Sequence, residues 1–331
     1  MVFVLPLLPG LIEIFRRSDI SALKIWQQHS NRPQSFAINF ANKVSELIKH
    51  KNASSINQNE PYQVIENLKR SLVRNDLRNI TLIEDNATID RYVNAPHEVY
   101  VNGNLICKGN NILRALFVEH QLHLGVNTSL LRWGHAKNIY IEKHSRLQGR
   151  VTADEHIYFN GNAQFSYLHA ERIQFGVMNN IKTNATKEMS LSKLAKFNRV
   201  PYRIQSNRLI FFGDCLIPEG RHIQGDIIVH GKLKILSGTY IEGNIKAHKN
   251  IYLLPSVIVQ GAVTGKMSTY IDSDCLIKGP LVTEIKLSIN SNSIIGSLGK
   301  KTSVAADLIK IKNSSVIYGT LRAKRIAIYK A

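Results

Sequence analysis

The stretch GNIKAHKNIYLLPSVIVQG, residues 243–261, begins and ends on a glycine and contains one full period of an 18-residue repeat. The same spacing recurs in the short words IQG, IEG, VQG and IKG, whose glycines are Gly225, Gly243, Gly261 and Gly279. Glycine at a fixed place in a repeat supplies the backbone freedom that a tight corner needs. The spacing therefore predicts a chain that turns the same corner once in every period.

Aligning the four periods reveals six columns of apolar or small residues, separated in turn by steps of 2 and 4 residues. A step of two joins side chains on one face of a strand, whereas a step of four crosses a corner. Three inward pairs per period therefore predict an all-β fold, a three-sided parallel β-helix (solenoid) with about 18 residues per coil. The columns begin at Ile223, Ile227, Val229, Leu233, Ile235 and Thr239.

The pattern continues beyond these periods in both directions. Downstream, we expect residues 297–303 to loop out at a corner, after which the columns resume at Ile309 and Gly319 takes the glycine place. Upstream, the same steps hold from Ile139 to Phe165.

The pattern thus divides most of the chain into repeats and a connector. We predict a first solenoid block over residues 80–176 and a second over 207–331. The basic segment 177–206, which lacks the apolar pattern, is expected to connect them.

Residues 1–79 lack the repeat and predict a small α-helical region. Within 33–79 we expect a helical adapter with one helix from Pro33 to about Lys51, because Pro suits a first helical turn and the apolar residues follow at helical spacing. A polar loop at 52–60 and a second short helix over 62–72 would complete the adapter.

The segment 1–32 opens with a strongly apolar stretch, residues 1–15, followed by two arginines. The stretch is shorter than the roughly 20 residues that span a bilayer, and Pro6 and Pro9 interrupt a helix. It either contacts a membrane interface or packs on a domain. The residues predicted to contact a membrane are Val2, Phe3, Leu5, Leu7, Leu8, Phe15, Arg16 and Arg17.

The net charge of +19 is unevenly distributed. The excess of Lys and Arg lies in residues 1–80, 177–206 and 300–331, and the regular repeats are nearly neutral. Nucleic-acid-binding proteins more often carry a basic stripe with interleaved aromatic residues on their folded surface. We therefore expect an anionic membrane surface or an acidic partner, and no nucleic acid.

The chain has three cysteines and no C-x-x-C pair, which favours a reducing cytoplasm. Cys275 falls in a core column, where it would act as a small apolar residue.

Two stretches resemble a known family. GNIKAHKNIYLLPSVIVQG (243–261) and GRVTADEHIYFNGNAQF (149–165) are similar to the repeats of bactofilins, the polymer-forming cytoskeletal proteins of bacteria. The order of helical start, the word RWGHA (132–136), solenoid, connector and solenoid resembles longer two-block relatives of that family. The resemblance covers about 85–175 and 209–329, and it implies a cytoplasmic, often membrane-associated scaffold without catalysis or cofactor. Bactofilins usually carry one solenoid, so the second block and the adapter could cap an end.

Hexapeptide-repeat acyltransferases also have 18-residue coils and use a histidine base. His230 and His248 are separated by one period, so we expect them on adjacent coils, about 4.8 Å from each other on the outer surface. The same column continues as Lys266 and Glu284, which leaves fewer ligands than a zinc site needs. An acyltransferase that uses His230 or His248 is one alternative function. A non-polymerising adapter that recruits envelope-biosynthesis enzymes is another.

Other catalytic signatures are missing from the sequence. The outward columns hold no acidic ladder of the kind that a glycosidase needs, and no phosphate-binding loop or dinucleotide fingerprint occurs. We therefore predict no catalytic residue, no cofactor and no metal site.

The second block ends in an apolar strand with no helix or polar cap after it. The ends of a solenoid must be capped, or paired with another copy. We predict that Ile326, Ile328 and Tyr329 form an assembly interface through which copies join into homo-oligomers or filaments. The alternative is that the connector or the first block folds over this edge.

Overall fold

The computed structural model describes residues 33–51, 62–65, 71–77, 79–178 and 186–331. It shows a β-solenoid of about 14 turns with about 18 residues per turn, together with two helices. The fold class predicted from the repeat is therefore confirmed. The apolar segment 1–32 and the polar loop 52–60 lie outside the described residues.

The first block contains ten strands and a short 3₁₀ turn at Arg74–Leu77. The strands are β1 (Tyr62–Ile65), β2 (Ile80–Ile83), β3 (Ala87–Ile89), β4 (Asn94–Val101), β5 (Leu105–Cys107), β6 (Ile112–Val118), β7 (Gln121–Leu124), β8 (Ser129–Glu142), β9 (Ser145–Asn160) and β10 (Ala163–Phe175). β1 pairs in parallel with β2 and is the outermost described strand of this block. The second short helix expected over 62–72 is wrong where the structure describes it, because Tyr62–Ile65 forms this strand.

The second block contains the remaining strands. They are β11 (Lys187–Glu188), β12 (Tyr202–Gln205), β13 (Arg208–Phe211), β14 (Cys215–Ile217), β15 (Arg221–Ile223), β16 (Asp226–Val229), β17 (Leu233–Ile235), β18 (Tyr240–Ile241), β19 (Ile245–Ala247), β20 (Ile251–Leu253), β21 (Ile258–Val259), β22 (Val263–Gly265), β23 (Ser268–Ile271), β24 (Leu276–Ile277), β25 (Leu281–Thr283), β26 (Lys286–Ile289), β27 (Ile294–Ile295), β28 (Thr302–Lys312) and β29 (Ser315–Lys330).

The second block has three sides, each a parallel sheet to which every coil adds one strand. Side 1 contains β13, β16, β19, β22 and β25; side 2 contains β14, β17, β20, β23 and β26; side 3 contains β15, β18, β21, β24 and β27. The longer strands β28 and β29 bend around corners and contribute to more than one side.

The predicted columns form the core. Ile223, Ile241, Val259 and Ile277 of the first column are all fully buried. The register is the predicted one, since Ile227 pairs with Ile245, its counterpart in the next period. Ile295 pairs with Ile317, which lies more than one period further along the chain, because an insertion at the corner separates β27 from β28. The expected loop ends at residue 301 rather than 303, since β28 begins at Thr302.

Stacked corners are held by close backbone contact and by side-chain amides. A Cβ added to Gly243 would lie 2.1 Å from the carbonyl oxygen of Gly225 in the preceding coil, so only glycine fits there. On the same corner, Asp226 accepts a hydrogen bond from the backbone amide of Asn244, which in turn accepts one from the amide of Ala262, each at 2.8 Å.

Helix α1 (Ser35–Lys51) confirms the predicted first helix. It packs against the outer surface of β8 in the first block through aromatic contacts, with the rings of Phe36 and Phe40 centred 5.4 Å and 5.2 Å from Trp133. Gln34, just before the helix, donates a hydrogen bond of 2.9 Å to Asp154. The adapter is therefore fastened to the solenoid surface by its described helix.

The later part of the predicted connector belongs to the second block. β11 pairs with β15, and β12 pairs antiparallel with β13. Between them, helix α2 (Leu191–Asn198) is capped at its N-terminus by the Ser190 hydroxyl and buries Leu194 and Ala195 against the core. The sequence pattern did not predict α2, because a short amphipathic helix is difficult to recognise within a polar, basic segment.

Candidate functional site: the ends of the two blocks

The last coil of the first block covers the last coil of the second. β10 pairs antiparallel with β29 on all three sides of the solenoid, a contact that we call the junction. The two blocks therefore form one continuous rod with their C-terminal ends joined. The free edge expected at the C-terminal end is wrong, and the alternative that the first block folds over it is confirmed.

The three residues predicted to contact other copies lie at this junction. Ile328 pairs with Gln164 and Tyr329 pairs with Ala163, both within the chain. Tyr329 is buried in the core, whereas Ile326 and Ile328 point outward and are half-buried. Their strand edge has its partner in β10, so it does not offer unpaired backbone groups to a second copy.

Aromatic rings fill the core of the junction. Phe159, Phe165 and Phe175 of the first block and Tyr329 of the second pack with ring centroids 4.9–6.0 Å apart. The Tyr329 hydroxyl donates a hydrogen bond of 2.8 Å to the side chain of Asn313. The end of each block is therefore fitted to the other rather than left as a bare layer of aliphatic side chains.

Large inward residues at the junction face small ones across it. Phe165 lies opposite Ala327, Phe175 opposite Ser315, and Tyr329 opposite Ala163. The remaining inward pairs match in size, as in Leu168 with Leu321 and Ile173 with Ile317. The edge of β29 is thus shaped for β10. In the sequence, this complementary shape is indicated only by the aromatic residues that replace aliphatic ones at inward positions of the last coils.

Polar contacts surround the junction on its outer surface. A ring nitrogen of His169 lies 2.8 Å from the Thr320 hydroxyl, and Lys301 forms an ion pair with Glu171 at 3.6 Å. Burial lowers the pKa of His169 to about 4, and the nearby charge of Lys301 acts in the same direction. The junction therefore contains a histidine that stays neutral at physiological pH.

The outer ends of the rod are the starting coils of the two blocks. At the second block's end, β12 is the outermost strand of side 1 and all four of its residues are exposed. Tyr202 and Ile204 of this strand and Phe197 of α2 are large apolar residues in contact with solvent. This end combines a helical cap over the core with a strand edge to which no further described strand pairs.

The two histidines weighed as catalytic residues do lie on adjacent coils. The rings of His230 and His248 are 4.4 Å apart, and Phe212 stacks on His230 at 5.3 Å. Within the described part of the chain, no three or more His, Cys, Asp or Glu side chains group as metal ligands. His230 and His248 therefore continue a row of aromatic rings that begins at Phe212 on the outside of the rod.

The three cysteines are buried in the core, as predicted for Cys275. Burial raises the pKa of Cys107, Cys215 and Cys275 to about 12 each. These thiols remain protonated at neutral pH, so they act as small apolar side chains rather than nucleophiles.

The residues predicted to contact a membrane, Val2 to Arg17, lie outside the described residues. Among the described helices, none has the length and apolar character needed to cross a bilayer.

Comparison with known protein families, with characterised proteins and with solved structures finds no match to this chain. The likeness to bactofilins therefore rests on the repeat words 149–165 and 243–261 and on the order of the segments.

Proposed function

We propose that this protein is a non-enzymatic, bactofilin-like structural scaffold that acts in the cytoplasm, beside the inner face of the membrane. The observation that carries the proposal is the continuous rod of about 14 turns, whose three sides run through both blocks without a break at the junction. A rod of this kind offers long uniform surfaces for support or assembly. Its interior is filled by packed side chains.

Self-assembly would use the outer ends of the rod, since the C-terminal ends are joined within the chain. On its outer edge, β12 offers backbone groups that pair with no other described strand, and Tyr202 and Ile204 add apolar surface beside it. Unpaired strand edges pair readily with another chain. We therefore place the contact between copies at β12.

The test is to change the outward residues of β12 and observe assembly. Wild-type protein should form filaments in negative-stain micrographs, and the double variant Tyr202→Lys, Ile204→Lys should not, because like charges would meet across a self-pairing edge. The matched control is Ile106→Lys with Ile112→Lys, two similarly exposed isoleucines in the middle of the first block. Assembly that persists in the β12 variant, or a monomeric wild type, would contradict the proposal.

Helix α2 favours a second candidate, a non-polymerising adapter that recruits other proteins such as envelope-biosynthesis enzymes. Leu194 and Ala195 are fully buried where α2 covers the end of the core, and terminal caps of this kind keep solenoids soluble. Light scattering separates the two candidates. A stable mass of 37.3 kDa across concentrations supports the adapter, and growth with concentration supports the scaffold.

A further inference from the structure

Side 2 of the rod differs from the other two sides in charge. Within its described strands there is no aspartate or glutamate, whereas side 1 includes Asp226. Through the junction, sides 1 and 3 continue into the first block, where they include Glu98 of β4 and Glu142 of β8, respectively. We call this surface the lysine side. It comprises β14, β17, β20, β23, β26, residues 308–312 of β28 and 326–330 of β29, and it continues into the first block through residues 163–165 of β10 and 145–147 of β9.

Six basic side chains point outward from the lysine side: Lys234, Lys286, Lys310, Lys312, Lys330 and Arg146. They come from both blocks and meet across the junction. Lys312 lies directly beside Lys330, and the row of Cα partners from Lys310 passes through Ile328 and Gln164 to Arg146. At about 4.8 Å per strand, the row from Lys234 to Arg146 is about 34 Å long.

These charges are not neutralised within the described chain. Lys234, Lys310, Lys312, Lys330 and Arg146 are exposed and form no ion pair with any described carboxylate. Three of the carboxylates on the flanking corners are engaged locally, whereas Glu219 and Glu284 are exposed. Asp214 accepts from the amide of Lys232, Asp272 from the side chain of Asn290, and Asp307 from Arg325.

Tyrosine and isoleucine side chains lie among the lysines. Tyr252 and Tyr270 stack with centroids 5.1 Å apart, and the Lys286 ammonium lies 5.5 Å from the Tyr270 ring centre. Ile326 and Ile328 are half-buried on the same surface. Basic residues mixed with tyrosines and aliphatic side chains suit the headgroup region of a bilayer.

We propose that the lysine side is the surface on which the rod lies against an anionic phospholipid bilayer. A flat sheet with its charges spread along about 34 Å matches a planar array of headgroups, and this fit is the reason for preferring lipid to nucleic acid. The faces of Tyr252 and Tyr270 already stack on each other, which leaves less ring surface for bases. The inference rests on the membrane location proposed above and adds which surface faces the membrane.

The test uses full-length protein and sedimentation with vesicles of phosphatidylglycerol and phosphatidylcholine, or of phosphatidylcholine alone. The triple variant Lys310→Glu, Lys312→Glu, Lys330→Glu should lose at least about tenfold in affinity for the anionic vesicles. The control Lys43→Glu, Lys193→Glu, Lys196→Glu carries the same change in net charge on the two helices and should bind as wild type does. Wild-type binding should require phosphatidylglycerol and weaken as salt rises, because salt screens exposed charges.

A second variant separates this inference from the proposed membrane location as a whole. Leu5→Asp with Leu8→Asp disables the apolar N-terminal segment and should leave binding that depends on salt and on Lys310 and its neighbours. If this variant loses all binding and the triple lysine variant loses none, the membrane location stands and the lysine side is not the contact. If wild-type protein binds no vesicle, the result contradicts both the proposed membrane location and the assignment of the lysine side as the contact. Tighter binding to duplex DNA than to anionic vesicles at the same salt would also overturn the lipid assignment.

Discussion

The regular coils of the second block and the junction solve the same packing problem differently. In the regular coils, most inward residues lie over one of their own class in the next coil, as with Ile227 over Ile245, and Thr269 between Ile251 and Leu287 is an exception. At the junction, the strands run in opposite directions and large side chains face small ones, as with Phe165 opposite Ala327. The first arrangement extends without limit, because each new coil presents the surface that the next one needs. The second arrangement ends the stack, because the edge of β10 is complementary to the edge of β29 and neither edge is complementary to a copy of itself.

This difference explains how one chain contains two solenoid blocks whose C-terminal coils are both covered. A repeat that only copies itself leaves a bare layer of core at its last coil. Here the last coil of each block replaces aliphatic residues by Phe165, Phe175 and Tyr329, and the rings close the gap between the blocks. The proposed growth of the rod from one chain to the next would therefore use the starting coils, because the last coils pair within the chain.

The largest expected effect comes from placing a charge in a regular column. Ile245→Asp should destabilise the protein by several kcal/mol, because the buried carboxylate would have no partner. The control Lys234→Asp, at an exposed position on side 2, should change stability little. Denaturant unfolding of both variants measures the difference. Equal midpoints would show that the two positions do not differ in burial.

The next prediction tests the fit at the junction. Phe165→Ala should cost about 3–5 kcal/mol through the cavity it leaves, and Ala327→Phe about 1–3 kcal/mol through overpacking. Because the two residues face each other, the double variant restores the total volume and should be less destabilised than the sum of the single variants. Denaturant unfolding of the two single variants and the double variant measures this difference.

The same exchange offers a direct comparison with a regular coil. Phe165→Ala with Ala247→Phe combines the junction cavity with overpacking in a regular coil, and the two losses should add because these buried residues do not pair. Strictly additive losses at the junction would mean that Phe165 and Ala327 do not pack as a complementary pair.

A smaller effect is expected from the close backbone contact at a regular corner. Gly243→Ala would bring a Cβ to 2.1 Å from the Gly225 carbonyl oxygen, so two coils must separate locally, at a cost of about 1–3 kcal/mol. Gly213→Ala is the control, because its nearest neighbour would be a Val200 methyl at 3.5 Å. Thermal unfolding should rank the two variants in this order, and the reverse order would argue against tight stacking at the corner.

The fold could be predicted from the sequence because its determinants are local and repeated. The column that starts at Ile223 and the glycine series from Gly225 recur once in every period, so each period adds evidence for the same geometry. The insertion after Ile295 could be located for the same reason, since the register returns after it.

The sequence could not decide between a free end and the junction, because β10 and β29 are far apart in the sequence and follow no shared period. The apolar sequence of Ile326 to Tyr329 is the same whether the strand pairs with another copy or with the first block. From the sequence, the positive charge of residues 300–331 likewise lies outside the regular repeats. The structure places Lys310, Lys312 and Lys330 on one folded surface because register, not sequence proximity, brings them together.

The smallest expected effect is a pH dependence confined to the junction. The pKa of His169 is lowered to about 4 from an ordinary value of 6.5, first by burial and then by the charge of Lys301. Between these two values the unfolded chain binds a proton that the folded chain does not, so the free energy of unfolding decreases as pH falls from 6.5 towards 4. Below that range both states are protonated and this contribution no longer changes.

His169→Gln keeps a polar partner for the Thr320 hydroxyl but does not titrate, so its melting temperature should fall less across the same interval. His97→Gln, at an exposed position in β4 far from the junction, is the control and should follow the wild-type profile. Identical profiles for wild type and His169→Gln would show that protonation of this histidine does not weaken the junction.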